Sequence, residues 1–306
     1  MACLVHLRRL AVTSFVVVLT VCILIPLRAP AAENGLNQIA AMSEQQFTDV
    51  QRKASQGDRP SQAILAIAYE QGIHVIKNEA EAAKWYRRLA ETGSMEAQNR
   101  IGVLYQLGRG VPQSYSDAAE WFRKAASMGE PAAQSNLATL YLNGWGVAQS
   151  LEEAAKWYEV AARQGHATAQ NNLAYLYSAG KGVVQDKARA AFWYRKAATQ
   201  GDGTAALNLG LLYEEGAGVP PDEQDAMRWL ELAAQRGVAR GYSNQARLYM
   251  FGRQIPHDYA RAYELLTKAM AGGDEIVRPW LQKCRQEISR ASSATPEAAA
   301  KAEPTK

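Results

Sequence analysis

Disulfide chemistry is almost absent from this chain. It has three cysteines; Cys3 and Cys22 lie in the first 31 residues, and Cys284 is left alone. No internal bridge can form from residue 32 onward, so packing must hold the fold. An excess of either charge is lacking too. Three of the 34 basic residues (Arg8, Arg9, Arg28) and none of the 30 acidic ones fall in that first stretch, leaving 31 against 30. Phosphate-backbone binding needs a basic patch, and this balance supplies none. Histidine is scarce. Beyond residue 31 only His74, His166 and His257 remain, far apart and without metal-ligand spacing. No metal and no cofactor is expected.

Long apolar runs occur once. Arg8 and Arg9 precede Leu10 to Leu27, an uncharged and mostly apolar run of 18 residues, followed by Ala29-Pro30-Ala31. A positive end, an apolar core and a small-x-small site are the layout of a secretory signal peptide. The run is also near the lower limit for spanning a bilayer. Residues 1–31 are therefore read as a signal peptide, with an uncleaved membrane anchor as the alternative. Leu19-Thr20-Val21 before Cys22 lacks the small residues of a lipoprotein site. Both readings put the rest of the chain outside the cytoplasm, periplasmic or secreted.

What the chain has is a period. Tryptophan stands at 85, 121, 157, 193 and 229, and the next step of 36 lands on Leu265. Tyr69, Tyr105, Tyr141, Tyr177, Tyr213 and Tyr249 keep the same spacing, as do Gly72, Gly108, Gly144, Gly180, Gly216 and Gly252. Self-similarity at a fixed period of this length means stacked supersecondary units. Six units fit: 58–93, 94–129, 130–165, 166–201, 202–237 and 238–273.

Each unit reads as helix-turn-helix. In the second, Ser94 can cap a first helix that ends at Gly108, where glycine tolerates the left-handed conformation. Ser114 can cap a second helix. Its equivalents Asn78, Ser150, Asp186, Asp222 and Asp258 are all strong N-cap residues. The second helix carries Ala118, Trp121, Phe122, Ala125 and Ala126 at i, i+3, i+4, i+7, i+8, one amphipathic stripe. Helices of about 13 residues are about 20 Å long. No hairpin buries that stripe alone, so neighbours must stack. The tryptophan and tyrosine ladders are expected in the core.

The ends decay as caps do. Residues 32–57 read as a linker (32–42) and an N-capping helix over Ser43 to Gln56. Residues 274–290 read as a C-capping helix, with Cys284 a small apolar filler. Residues 291–306, rich in Ala, Ser, Pro, Lys and Glu, read as a disordered tail.

Catalytic candidates have plainer explanations. Ser178-Ala179-Gly180-Lys181 matches a bare S-x-x-K but straddles a helix end and has no K-T-G partner. The paired glycines 108/110, 144/146, 180/182 and 216/218 follow helices and are turns, not a dinucleotide fingerprint. Glu152-Glu153, Glu214-Glu215 and Asp222-Glu223 sit at helix ends, where carboxylates are solvated or paired with the dipole. The expectation is a chain that is not an enzyme.

The string Leu173-Ala174-x-x-Tyr177-x-x-Gly180-x-Gly182-Val183, then Trp193-Tyr194-x-x-Ala197-Ala198-x-x-Gly201, resembles the SEL-like repeat (SLR), a relative of the tetratricopeptide repeat. The resemblance covers about residues 57–273. It implies an all-α fold, an α/α right-handed superhelix or solenoid of six repeats with capping helices and a concave groove. Members are adaptors that bind proteins; secreted and periplasmic bacterial ones include regulators of envelope signalling and host-interaction factors. One branch is cysteine-rich and linked to penicillin binding. This chain lacks those cysteine pairs, so an envelope hydrolase or penicillin-binding activity is the lesser alternative, with a membrane-tethered structural component as a third.

In the related fold, first-helix side chains line the groove. Counting from Leu137, Leu173 and their equivalents gives Asn99, Val103 and Gln106; Ser135, Thr139 and Asn143; Asn171, Tyr175 and Ser178; Leu207, Leu211 and Glu214; Ser243, Arg247 and Met250. This mixed lining would suit an extended or helical peptide held by apolar anchors and amide bonds. The expected function is a non-catalytic scaffold that binds a protein or peptide partner, without nucleic acid.

Overall fold

The computed structural model describes residues 30–300, with side chains described over 35–293. Residues 1–29 of the expected leader (1–31) and residues 301–306 of the expected tail (291–306) lie outside the described residues. Among the described residues there is no strand, and no helix is long and apolar enough to cross a membrane. Fifteen α-helices follow one another: α1 Pro30–Ala40, α2 Glu44–Ser55, α3 Arg59–Gln71, α4 Glu79–Glu91, α5 Met95–Leu107, α6 Tyr115–Ser127, α7 Pro131–Asn143, α8 Leu151–Arg163, α9 Ala167–Ala179, α10 Lys187–Thr199, α11 Gly203–Glu215, α12 Glu223–Gln235, α13 Ala239–Phe251, α14 Tyr259–Ala271 and α15 Arg278–Ala300. The twelve helices α3 to α14 are each 13 residues long and form the six hairpins.

The helix starts are set by side chains. Asn78, Ser114, Ser150, Asp186, Asp222 and Asp258 each accept a backbone N–H of the first turn of the second helix in their hairpin. First helices are capped less uniformly, by Asp58, Ser94, Glu130 and Asp202, and in α9 by His166, whose Nδ1 accepts the Ala169 N–H at 3.3 Å. α2 opens with a complete capping box, Ser43 and Gln46 bonding each other's backbone.

The chain packs as two units. One contains residues up to Ala169 together with Lys181–Val183; the other contains Gln170–Gly180 together with residues from Val184. In the first unit each helix from α2 to α8 packs on the next. In the second the same holds from α10 to α15. Each unit thus has the side-by-side hairpin stacking of a solenoid.

The core lies one residue beyond the tryptophans. Phe122, Tyr158, Tyr194 and Leu230 are fully buried, whereas Trp85, Trp121, Trp157, Trp193 and Trp229 are half-buried. The expectation that the tryptophan and tyrosine ladders are core is corrected accordingly: of the ladder tyrosines Tyr177 is buried, while Tyr69, Tyr105, Tyr141, Tyr213 and Tyr249 are half-buried. An indole at that position covers the seam between hairpins: Trp85 and Trp121 both flank the cluster containing Tyr86, Ile101 and Leu104. Small residues opposite make room for the buried rings. A Cβ on Gly102 would stand 2.7 Å from the Phe122 ring.

Neighbouring hairpins also touch through backbone. Gly110 and Gly146 adopt positive φ, and a Cβ on either would collide with the main chain at Glu79 or Tyr115, in the first turn of the preceding hairpin's second helix. The end hairpins solve this loop differently. His74 adopts φ 59 and stacks on Phe47, ring centroids 4.9 Å apart. Gln254 replaces the last loop glycine and is held by Glu223.

Buried glutamines join hairpins in the first unit. The Gln62, Gln98 and Gln134 Nε2 groups donate to the Ala54, Ala90 and Ala126 carbonyls at 3.1–3.2 Å. These carbonyls end the preceding helix, where intrahelical donors run out. Gln164 donates in turn to Gln134 Oε1 at 2.7 Å. Gln98 Oε1 has no such donor, because Met128 stands where Gln164 does.

Two boundary expectations are corrected. The stretch read as a linker carries α1, since Ile39 is buried and the His74 ring bonds its carbonyl at 2.8 Å. The C-terminal helix does not stop at 290. α15 continues to Ala300, after one 3₁₀ turn over Glu275–Val277. Cys284 is buried with its sulfur 3.6 Å from Met250 Sδ, a packing position.

Candidate partner-binding surface

In the first unit the expected groove residues lie on α5 and α7. Asn99, Val103, Gln106, Ser135 and Thr139 are buried and Asn143 is half-buried. The side chains of Asn99, Thr139 and Asn143 bond within the fold. Asn136 Nδ2 donates to Asn99 Oδ1 at 2.9 Å, joining two first helices. Thr139 Oγ1 bonds the Ser135 carbonyl at 3.0 Å and the Tyr158 hydroxyl at 2.8 Å. Asn143 Nδ2 donates to the Thr139 carbonyl at 2.8 Å.

In the second unit the expected residues lie on α9, α11 and α13. Asn171, Ser178, Leu207, Ser243 and Met250 are buried; Tyr175, Leu211, Glu214 and Arg247 are half-buried. Arg247 grips Glu214 with both terminal nitrogens at 2.5 Å and reaches Asn244 Oδ1 at 3.0 Å. Burial pushes the Glu214 carboxyl up, and Arg247 opposes that shift. Ser243 donates to Asp274, tying α13 to the C-terminal cap. Met250 packs on Cys284.

None of the fifteen positions is exposed, and ten are buried. Asn99, Thr139 and Ser243 bond to neighbouring helices instead of facing solvent. The half-buried Asn143 in one unit, and Tyr175, Leu211, Glu214 and Arg247 in the other, retain surface a partner could touch.

The 36-residue period also reaches the first hairpin. One period before Asn99, Val103 and Gln106 stand Ala63, Ile67 and Glu70 on α3. These line a cleft of about 710 Å³ between α1 and helices α3 and α5. On it Glu70 is buried, accepting from the Tyr86 hydroxyl at 2.8 Å and from Arg100 at 2.9 Å. Burial, then the Glu70 charge, push the Tyr86 hydroxyl well above the ordinary tyrosine range, so it stays protonated and donates. Its signal was the period itself, extended one repeat toward the N-terminus.

The catalytic candidates sit in structural places. His74 and His257 bond the backbone carbonyls of Ile39 and Gly252, and His166 caps α9. Ser178 ends α9, its carbonyl accepting from Gln185 at 2.9 Å. Glu152 and Glu153 lie in the first turn of α8. Glu223 collects the backbone N–H groups of Arg253, Gln254 and Ile255.

Residues 59–94, 96–130, 131–166, 167–202, 203–238 and 241–274 each match the Sel1 repeat. The chain belongs to the Sel1 repeat family. A solved Sel1 repeat protein from Oxalobacter formigenes is 32% identical, with TM-score 0.64 over 70% of this chain and 87% of that one. A protective antigen present in uropathogenic Escherichia coli strains, displaying an SLR fold, is 30% identical, with TM-score 0.58. That alignment covers 83% of this chain but 64% of the antigen, so the chain spans less than two thirds of its length. A comparison with curated proteins finds no match. Sel1 repeats commonly serve as non-catalytic protein-interaction scaffolds, and this Sel1 chain presents that fold.

Proposed function

We propose that this Sel1 repeat protein is a non-catalytic scaffold of the cell envelope that binds a protein partner and regulates or assembles it. The observation that carries the reading is six matched repeats whose histidines bond backbone and whose Glu153, Glu214 and Glu223 pair or bond backbone. The envelope placement rests on Arg8-Arg9, the Leu10–Leu27 run and Ala29-Pro30-Ala31. In the second unit, Tyr175, Leu211 and the Glu214–Arg247 pair offer apolar surface beside charge on successive first helices, a mixture that suits peptide recognition.

The test is site-specific photo-crosslinking in intact cells, with the crosslinker at Tyr175 or Leu211 and, as comparison, at the exposed Glu120 on α6. The reading expects discrete protein adducts from the first two positions and none from the third. The same adducts from all three, or none from any, would remove it. Fractionation of those cells decides the tether: an uncleaved leader keeps the chain in the membrane pellet, a cleaved one releases it.

A further inference from the structure

α1 does not merely precede the repeats; it lies over the first of them. Leu36 and Ile39, one helical turn apart, line the cleft opposite Ala63 and Ile67 of α3, while Ala97 and Arg100 of α5 line it too. Ile39 is buried and its carbonyl is held by His74. Ala63 and Ile67 are the first-repeat equivalents of the groove positions Asn99 and Val103. This hairpin therefore already carries a helix on that face, supplied in cis.

The occupant is a poor fit. α1 has 11 residues with Gly35 near its middle, where glycine costs about 0.5–1 kcal/mol relative to alanine. A helix that short is marginal in water, so docking must supply its order. The cleft it lines, about 710 Å³, is partly open to solvent and mostly apolar. A bulkier apolar side chain would take from water lining surface that Leu36 and Ile39 leave uncovered.

We propose that the cleft on the first repeat is a binding site for an amphipathic helix of a partner, bearing two bulky apolar residues one turn apart, and that α1 is its resting occupant. A partner helix with larger anchors displaces α1. The inference deepens the scaffold reading by naming a site and a partner class, and rests on that reading only for its biological use.

The experiment needs no cellular partner, so its failure would leave the crosslinking result above untouched. A fluorescein-labelled peptide of residues 32–42 is titrated against the full chain and against two variants that unseat α1, followed by anisotropy. Leu36→Asp/Ile39→Asp removes both anchors; Asn37→Pro breaks the α1 helix while leaving the α3 and α5 wall of the cleft and both anchor side chains unchanged, which covers the case where the acidic pair misfolds. Either unseated variant is expected to bind the peptide at least tenfold more tightly than the unaltered chain. Adding Ala63→Arg should abolish that gain, and a peptide carrying Leu36→Phe should bind at least threefold more tightly than the natural one. Unseated chains that ignore the peptide, or bind it no better than the unaltered chain, would overturn the proposal. So would an unaltered chain that light scattering shows to dimerise and that Asn37→Pro makes monomeric, because a second copy would then own the cleft.

Discussion

Glu223 and Gln254 hold each other twice. The Gln254 N–H donates to Glu223 Oε2 at 2.7 Å, and the Glu223 N–H donates to Gln254 Oε1 at 3.0 Å. The same carboxylate accepts from Arg253 and Ile255. This replaces the glycine contact of the inner hairpins, and Gly252 adopts an extended conformation instead of the left-handed one. Charge-assisted bonds to backbone are each worth about 1.5–3 kcal/mol. Because the site is exposed, Glu223→Ala is expected to cost about 2 kcal/mol in all, read by urea denaturation. Glu223→Gln should recover part of that, since an amide oxygen still accepts.

The two loop glycines of a hairpin should respond unequally. A Cβ on Gly108 would meet the Gln113 side chain at 3.1 Å, whereas one on Gly110 would strike the Glu79 backbone. Both positions pay the left-handed penalty of about 1 kcal/mol. Gly110→Ala is expected to cost at least 1 kcal/mol more than Gly108→Ala, because a Cβ overlapping the Glu79 carbonyl forces the hairpins apart, whereas a 3.1 Å contact needs a shift of only a few tenths of an ångström. Thermal melts of the two variants check the order.

A missing bond can be restored. Gln164 donates to Gln134, but Gln98 Oε1 is buried without a donor because Met128, 53% exposed, occupies the matching place. Met128→Gln should stabilise the chain by about 1 kcal/mol. The double variant with Gln98→Leu should show no such gain, which separates the bond from removal of an exposed methionine.

Acid should weaken the start of α9. Burial holds the His166 imidazole below its ordinary value of 6.5, and neutral Nδ1 accepts the Ala169 N–H. Protonation removes that acceptor. The unfolded chain takes up the proton near pH 6.5 and the folded chain only lower, so this stability is complete above that pH and lost as pH falls below it. His166→Asp keeps a capping acceptor in mild acid. The variant is expected to gain melting temperature over the parent at pH 5, with a smaller difference at pH 7.5.

The half-buried ion pair should show its partners' dependence on each other. Arg247→Ala leaves Glu214 partly desolvated and unpaired and is expected to cost about 2 kcal/mol. The double replacement Arg247→Met/Glu214→Leu should lie closer to the parent. A double-mutant cycle in urea measures the difference.

Much of this fold was legible because one physical device recurs. The cap residues Asn78 to Asp258 and the 36-residue spacing place every hairpin, and the helices begin where those caps stand. α1 was hidden because its local signals argue for a linker: Gly35 and few apolar residues. What orders it is Ile39 meeting His74, 35 residues away. The tryptophans misled for another reason. Periodicity says that a ring belongs to a hairpin, not whether it points into the centre, as Phe122 does, or across the seam, as Trp121 does. The groove count failed to foresee burial because it treats each first helix alone. Asn99 is covered by Asn136 of the next hairpin, and how closely two helices approach is not written in either one.

The loop glycines carry a last implication. Where Gly110 rests on Glu79 and Gly146 on Tyr115, the joint reads main chain and is indifferent to which side chain stands below. Interior modules with that joint are interchangeable parts, so a gene duplication could lengthen the array by one whole period without redesigning its neighbours. The terminal modules are excluded from such shuffling, because His74 needs Phe47 and Gln254 needs Glu223.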